Sequence, residues 1–597
     1  MKSFIKYTFS TIVGVLIAGI IMVAGLVVVG TAMALSDDTA PVEVKDDSVL
    51  RLRLSGEIVE KQDADAISGM LGISDMTQRQ GLNDIVGAIE KAARNENIKG
   101  LYIEAGMLQA DYATLQEIRK AVIEFRKSRK WVVAFADEYT QGAYYVCSAA
   151  DKVLLNPQGM LDLHGISSKP MFLKDLLAKV GVKMTVVKVG KFKSATEQYT
   201  EEQMSEANRE QTTRYISNIW NVVLQDISKS RRISIDSLNI FADEMTSLQG
   251  AGYLKQHRLI DKTLYQNEVE AYLNTLLKKD KDEKVEMVGC AALNRSTIES
   301  IVSDNKIAVY YCEGSIVQNQ ESGMVMGDAG IVSKKMVKDL DKIAKDDDIK
   351  AVVIRVNSGG GDAFASEEIW NSVVKLKARK PVVISMGGMA ASGAYYLSAG
   401  ASWIVAQPTT LTGSIGIFGC FPDMSNLMQQ KLGIKYDNVK TNKHADFSIL
   451  QTARPFNAEE EAYLQAYINR GYELFCKRVA DGRKISIGQV KQIAEGRVWT
   501  GADALRIKLV DEIGGMPEAL KKAATMAKIK DEDYETVAYP KAKTWMEQLT
   551  ETAGTDDELD QQLRLTLGAF YEPFVLVRQL QHQSPVQARC EIVQIAN

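Results

Sequence analysis

Short, continuous apolar runs recur along the chain, separated by longer stretches in which apolar residues return at helical spacing. Residues Ala351 to Val356, Val382 to Ser385 and Trp403 to Val405 are runs of the first kind, and they alternate with helical stretches of ten or more residues. A strand that is apolar on both faces has to be covered on both faces, so the alternation predicts parallel sheets between layers of helices, an α/β fold.

The same pattern occurs twice. Asn97-Ile98-Lys99-Gly100-Leu101-Tyr102-Ile103 matches Asp348-Ile349-Lys350-Ala351-Val352-Val353-Ile354 at an offset of 251 residues. At that offset Gln141-Gly142-Ala143-Tyr144-Tyr145 faces Ser392-Gly393-Ala394-Tyr395-Tyr396, Pro157 faces Pro408 and Gly165 faces Gly416. Leu54 to Val59 pairs with Cys312 to Val317, and Val180 to Lys183 with Leu432 to Lys435, at nearly the same spacing. A repeat of this length predicts two similar domains, residues 45–300 and 301–540.

Ahead of the repeats, thirty residues between Lys6 and Asp37 carry no charge. The run is long enough to cross a bilayer and longer than the apolar region of a cleaved signal, although Ala32-Met33-Ala34 resembles a cleavage site. It reads as a retained single-pass transmembrane helix, with residues 1–44 forming a cytoplasmic stub and anchor. Lys2 and Lys6 before the span and Asp37 and Asp38 after it place the N-terminus in the cytoplasm, and the domains on the periplasmic side of the inner membrane. Residues 541–597 form a tail whose apolar stretch Leu565 to Leu580, interrupted by Pro573, suits either a partner or the membrane surface.

Composition narrows the function. With 72 Lys and Arg against 76 Asp and Glu, the net charge of −4 gives no bulk attraction to nucleic acid. At 46% apolar and 25% charged residues the chain is neither disordered nor polytopic. The six cysteines show no CxxC or Cys-His spacing, so no metal site is expected, and runs such as Val309-Tyr310-Tyr311-Cys312 read as holding buried free thiols. Only four histidines, His164, His257, His444 and His582, are available as imidazole bases.

The richest chemistry lies in the second copy. Arg355-Val356-Asn357-Ser358-Gly359-Gly360-Gly361-Asp362 places three glycines directly after a strand and before a helical segment. No phosphate-loop or dinucleotide pattern occurs there, and closely approachable backbone N–H groups fit an oxyanion hole better. After the next strand, Ser392 stands at the mouth of a helix among small residues, in Met386-Gly387-Gly388-Met389-Ala390-Ala391-Ser392-Gly393. Locally this pattern fits a helix N-cap at least as well as a nucleophile. His444, in the polar loop Asn442-Lys443-His444-Ala445-Asp446, reads as a solvated surface residue. A lysine could serve as base instead once burial removes about 4 kcal/mol from its charged form, lowering its pKa from about 10.4 to about 7.5.

Taken together with Val189-Gly190-Lys191-Phe192-Lys193-Ser194-Ala195 and Leu411-Thr412-Gly413-Ser414-Ile415-Gly416-Ile417, these motifs resemble the signal peptide peptidase A family in its long, tandem-repeat form. The resemblance covers nearly the whole chain. It implies two crotonase- or Clp-protease-like domains and a Ser-Lys dyad: Ser392 as nucleophile, Lys193 of the first copy as general base, and Ser414 orienting the lysine amine. Gly360, Gly361 and Gly393 would supply the oxyanion hole. It implies no cofactor, substrates that are cleaved signal peptides and other unfolded hydrophobic segments, and a homotetramer. Two departures stand out: Gly359 and Gln198 occupy positions where the relatives commonly carry proline.

The duplication divides the labour in the same way. Opposite Ser392 the first copy has Gln141, opposite the glycines it has Leu108-Gln109-Ala110, and the second copy has Ala445 opposite Lys193. One complete site per chain is expected. Lys191 is the neighbouring candidate base and reads as a surface residue, facing Lys443. The rival readings are a catalytically silent membrane-anchored peptide-binding scaffold and an acyl-CoA enzyme of the crotonase type.

Overall fold

A computed structural model describes residues 14, 17, 43–62, 79–296, 303–319, 330–530, 533–541 and 585–590. The expected anchor and the apolar stretch of the tail lie outside the described residues. Among the described residues no helix is long and apolar enough to cross a membrane.

In the first half, strands β1 (Ser48–Val59), β2 (Arg79–Gly81), β3 (Ile98–Gln109), β4 (Trp131–Tyr139) and β5 (Lys152–Leu161) form a sheet with β7 (Lys262–Thr263) and β8 (Met287–Gly289), while β6 (Lys183–Lys188) lies outside it. Every pairing in this sheet is parallel, and the apolar runs are buried, as continuous hydrophobic strands require. The second half repeats the plan with β9 (Lys306–Glu313), followed by the short β10 (Ile316–Val317) and β11 (Ile331–Val332). Next come β12 (Ile349–Ser358), β13 (Gly360–Asp362), β14 (Val382–Ala391), β15 (Trp403–Ala406), β16 (Leu411–Gly413) and β17 (Phe418–Asp423). Strands β18 (Val498–Thr500), β19 (Glu512–Ile513) and β20 (Glu535–Tyr539) complete its main sheet, and β21 (Val586–Arg589) follows near the C-terminus.

Single hydrogen bonds repeat along with the strands. Tyr144 Oη donates to the Leu259 carbonyl at 2.9 Å, and Tyr395 Oη donates to that of Leu509 at the same distance. Arg231 pairs with Asp261 as Arg483 pairs with Asp511. The chain is therefore a tandem duplication of one α/β unit.

Two features lock the copies together. Strand β6 of the first half pairs antiparallel with β17 of the second, from Lys188 opposite Phe418 to Lys183 opposite Asp423, in a separate sheet of order β11-β10-β13-β21-β17-β6. At the seam, buried Arg355 on β12 reaches Glu60 at 2.7 Å and Glu117 at 2.6 Å, both from the first half. A buried guanidinium is tolerable only with such partners. All six cysteines are free thiols, four of them buried.

Candidate active site

The nucleophile candidate sits where β14 ends. Ser392 precedes the helix Gly393–Ser398 with φ 56° and ψ −114°, an unusual conformation for a residue with a Cβ. Its N–H donates to the Gly413 carbonyl at 2.8 Å and its carbonyl accepts from Tyr396 N–H at 2.8 Å, so the strain is held from both sides. The hydroxyl makes no capping hydrogen bond to its helix. The reading of Ser392 as an N-cap therefore fails on geometry, because the Oγ points to a lysine instead.

That lysine is Lys193, delivered by the turn after β6. Gly190 makes the turn at φ 97°; a side chain there would bring its Cβ to 2.4 Å from Glu495 backbone. Phe192 N–H donates to the Glu495 carbonyl at 3.0 Å, fixing the loop on the second half. Buried Gln211, on the helix Glu206–Arg231, ties the same loop down: its Nε2 donates to the Phe192 carbonyl and to Ser194 Oγ at 3.0 Å each, and its Oε1 accepts from Val498 N–H at 3.2 Å. Sequence reasoning missed Gln211, since a glutamine in a largely polar helix carries no local sign of burial.

The Lys193 Nζ donates to Ser392 Oγ at 2.7 Å, to Ser414 Oγ at 3.0 Å and to the Ser414 carbonyl at 3.1 Å. Lys193 is only 1% exposed and, among the described residues, forms no ion pair. Gly416 and Gly496 lie against its stem, each so close that an added Cβ would stand 3.3 Å or 2.7 Å from lysine atoms. Burial disfavours the charged form and brings the amine down to about 7. Lys191, by contrast, is exposed beside the Phe192 ring. Likewise, His444 pairs with Glu460 at 3.1 Å and makes no contact with Ser392.

The glycine loop is a strand rather than an open loop. Gly361 pairs with Ile316 on one side, and Gly360, Gly361 and Asp362 pair with β21 on the other, so the glycine in place of proline at position 359 leaves it well fixed. Gly360 needs its φ of 94°, and its N–H donates to Ser358 Oγ at 3.0 Å. That bond commits one of the three expected oxyanion amides. Gly361 and Gly393 lie together: a Cβ on Gly393 would stand 3.2 Å from the Gly361 nitrogen. Beside them opens a cavity of about 610 Å³ lined by Lys193 and Ser414 and by apolar Phe172, Phe192, Met204 and Tyr215.

In the first copy the equivalent place is sealed. Fully buried Gln141 donates to Tyr112 Oη at 2.7 Å and to the Gly165 carbonyl at 3.0 Å, while its Oε1 accepts the His164 and Gly165 N–H groups at 2.9 Å each. All of its hydrogen-bonding capacity is spent on structure.

An α/β fold that buries a serine hydroxyl 2.7 Å from a lysine amine, beside close-packed glycines, has the parts of a serine hydrolase. Comparison with known families agrees. The model of peptidase family S49 matches twice, over residues 124–280 and 374–530, and a Clp protease model matches residues 324–409; the chain belongs to peptidase family S49. It is 38% identical over 496 residues to Protease 4 of Salmonella typhi, covering 81% of this chain and 78% of that one. Over 493 residues it is 34% identical to Protease 4 of Haemophilus influenzae, with 80% and 78% covered. The chloroplastic serine protease SPPA of Arabidopsis thaliana is 29% identical over 493 residues, with 81% and 70% covered. The chain is a serine protease, not a silent scaffold or an acyl-CoA enzyme.

Proposed function

We propose that this protease is an endopeptidase, held at the cytoplasmic membrane with its domains outside, that degrades cleaved signal peptides and other unfolded hydrophobic segments. The observation that carries the chemistry is the 2.7 Å contact of a buried amine, lowered to about 7, with Ser392 Oγ. Lys193 takes the Ser392 proton as the oxygen attacks the peptide carbonyl, and passes it to the departing amine. Water then hydrolyses the acyl-enzyme ester with the same lysine as base. Ser414 orients the amine, and the Gly361 and Gly393 N–H groups stabilise the developing oxyanion, with Gly360 shaping their strand.

The apolar walls of the cavity favour hydrophobic peptides, and the uncharged N-terminal run would keep the site where such peptides accumulate. For assembly we propose a homotetramer. The second-half counterpart of β6, near Lys435, forms no strand and exposes Ile434, Tyr436 and Val439, an edge that a neighbouring copy would cover. A fluorophosphonate probe tests the chemistry: the intact protein should label, and Ser392→Ala and Lys193→Ala should not. Equal labelling of all three would refute it.

A further inference from the structure

The helix Glu206–Arg231 belongs to the first half of the chain, yet one side of it is fastened to the second. Arg214 Nε donates to Asp503 Oδ2 at 3.0 Å, Asn218 Nδ2 donates to the same oxygen at 2.9 Å, and Arg497 Nη2 reaches back to Glu210 at 2.7 Å. Those side chains keep some contact with solvent on at least one partner. Gln211 differs, being 2% exposed, and a buried amide must find partners at both of its ends.

Its partners belong to the two pieces of chain that meet at the dyad. On one side the Gln211 Nε2 donates to the Phe192 carbonyl and to Ser194 Oγ, the residues that flank Lys193. On the other, its Oε1 accepts from Val498 N–H, and Val498 stands opposite Gly413 in the antiparallel pair of β16 and β18. The Gly413 carbonyl accepts from Ser392 N–H at 2.8 Å, and the carbonyl of Arg497, next to Val498, accepts from Ser414 N–H at 2.7 Å. One amide thus spans from the loop of the base to the strand pair from which both serines hang. A flipped amide would set its oxygen against the Phe192 carbonyl and its NH₂ against the Val498 N–H, so the partners allow only this orientation.

The duplication shows what the position holds when no base depends on it. The counterpart helix in the second half, Ala458–Arg483, has the same 26 residues, begins after a side-chain cap (Asn457 for Ser205) and ends on a left-handed residue (Lys484 for Arg232). Gln211 therefore faces Tyr463, which is 60% exposed. The buried amide is found in the copy whose loop carries the lysine, and the other copy has an exposed ring in its place.

We infer that Gln211 is a positioning residue for the reaction: by bridging the base loop and β18 it sets the distance of the Lys193 amine from Ser392 and keeps that amine shut away from water. It acts through Lys193 rather than on the reacting atoms, and the inference rests on the proposed roles of Ser392 and Lys193.

The test uses full-length protein carrying Gln211→Met, which is similar in size and makes no such hydrogen bonds, and separately Gln211→Glu, which keeps an acceptor for Val498 N–H and loses the donor to the Phe192 carbonyl. The control is Asn218→Ala, which removes a contact of the same helix with Asp503 and none with the base loop. Turnover of an apolar fluorogenic peptide is followed across pH. Both Gln211 variants should lose kcat about 100-fold, the scale of a small misplacement of a catalytic group, with KM changed by less than about twofold. A loosened loop admits water to the amine, so the rise of kcat/KM, at about 7 in the intact protein, should move to higher pH in both. Asn218→Ala should keep kcat and the pH of the rise, even where its melting temperature falls. Unchanged kcat in the Gln211 variants, a lower kcat with the rise left in place, as a merely structural role predicts, or the same displacement in Asn218→Ala would overturn the inference. Fluorophosphonate labelling separates the two proposals: if the intact chain does not label, the dyad chemistry fails and the role of Gln211 with it, whereas an intact chain and Gln211 variants that label at equal rates sink the role of Gln211 alone.

Discussion

Lys193 Nζ lies 2.7 Å from Ser392 Oγ across 199 residues of sequence, and among the described residues no carboxylate or imidazole is hydrogen-bonded to either. Replacing either residue with alanine should lower kcat/KM for a hydrophobic peptide by on the order of 10⁴-fold, and the double variant should lose little more than either single one, because the two act as a unit. Steady-state kinetics on the three variants, with circular dichroism to establish folding, provides the check.

The buried amine dictates the pH dependence. With its folded pKa at about 7 instead of 10.5, the base is neutral only above that value, so kcat/KM should rise with pH through about 7 and then level off. Stability follows the same linkage. Between the two pKa values the unfolded chain binds the extra proton, so the cost of burying Lys193 is absent above 10.5, grows as pH falls toward 7, and is constant below. Lys193→Met should therefore stabilise the protein more at pH 6 than at pH 10, as read by denaturant titration.

Lys193 Nζ donates to Ser414 Oγ at 3.0 Å, and in the proposed mechanism that hydroxyl only orients the amine. Ser414→Ala should reduce kcat about 10- to 100-fold while leaving KM nearly unchanged, since the Ser414 carbonyl at 3.1 Å still restrains the lysine. Progress curves over a range of peptide concentrations separate the two parameters.

Gly360 adopts φ 94°, and a Cβ there would come to 2.6 Å from the Gly393 nitrogen. Gly360→Ala should bend the glycine strand away from Ser392 and cost kcat at least about 100-fold, the scale of a lost oxyanion donor. Fluorophosphonate labelling should slow in proportion.

At the seam, Arg355→Ala leaves Glu60 and Glu117 buried without their shared cation, at 2.7 Å and 2.6 Å in the intact protein. Burial already raises the Glu60 pKa, with Arg355 opposing it. The variant should lose about 3 to 5 kcal/mol of stability in urea unfolding.

The fold was largely legible because its evidence is local: continuous apolar runs mark covered parallel strands, and Tyr144 and Tyr395 recur because each caps the same turn in its copy. The pairing of Lys193 with Ser392 was legible only through a family motif, since nothing in a lysine's neighbours in sequence states which distant glycines will wall it in. Gln211 and Ser358 were missed for the same reason; their roles are set by what folds onto them. So was β21, a four-residue strand whose partners lie more than 160 residues upstream and whose own sequence carries no sign of a cleft.

Strand β6 crosses from one copy into the sheet of the other. A ribosome finishes that strand and its amine long before it has made the alcohol they serve. In the proposed mechanism the emerging polypeptide thus stays inert toward itself and its neighbours until synthesis has passed the second copy, and a chain severed between the copies would have to reunite its two fragments before it could cut anything.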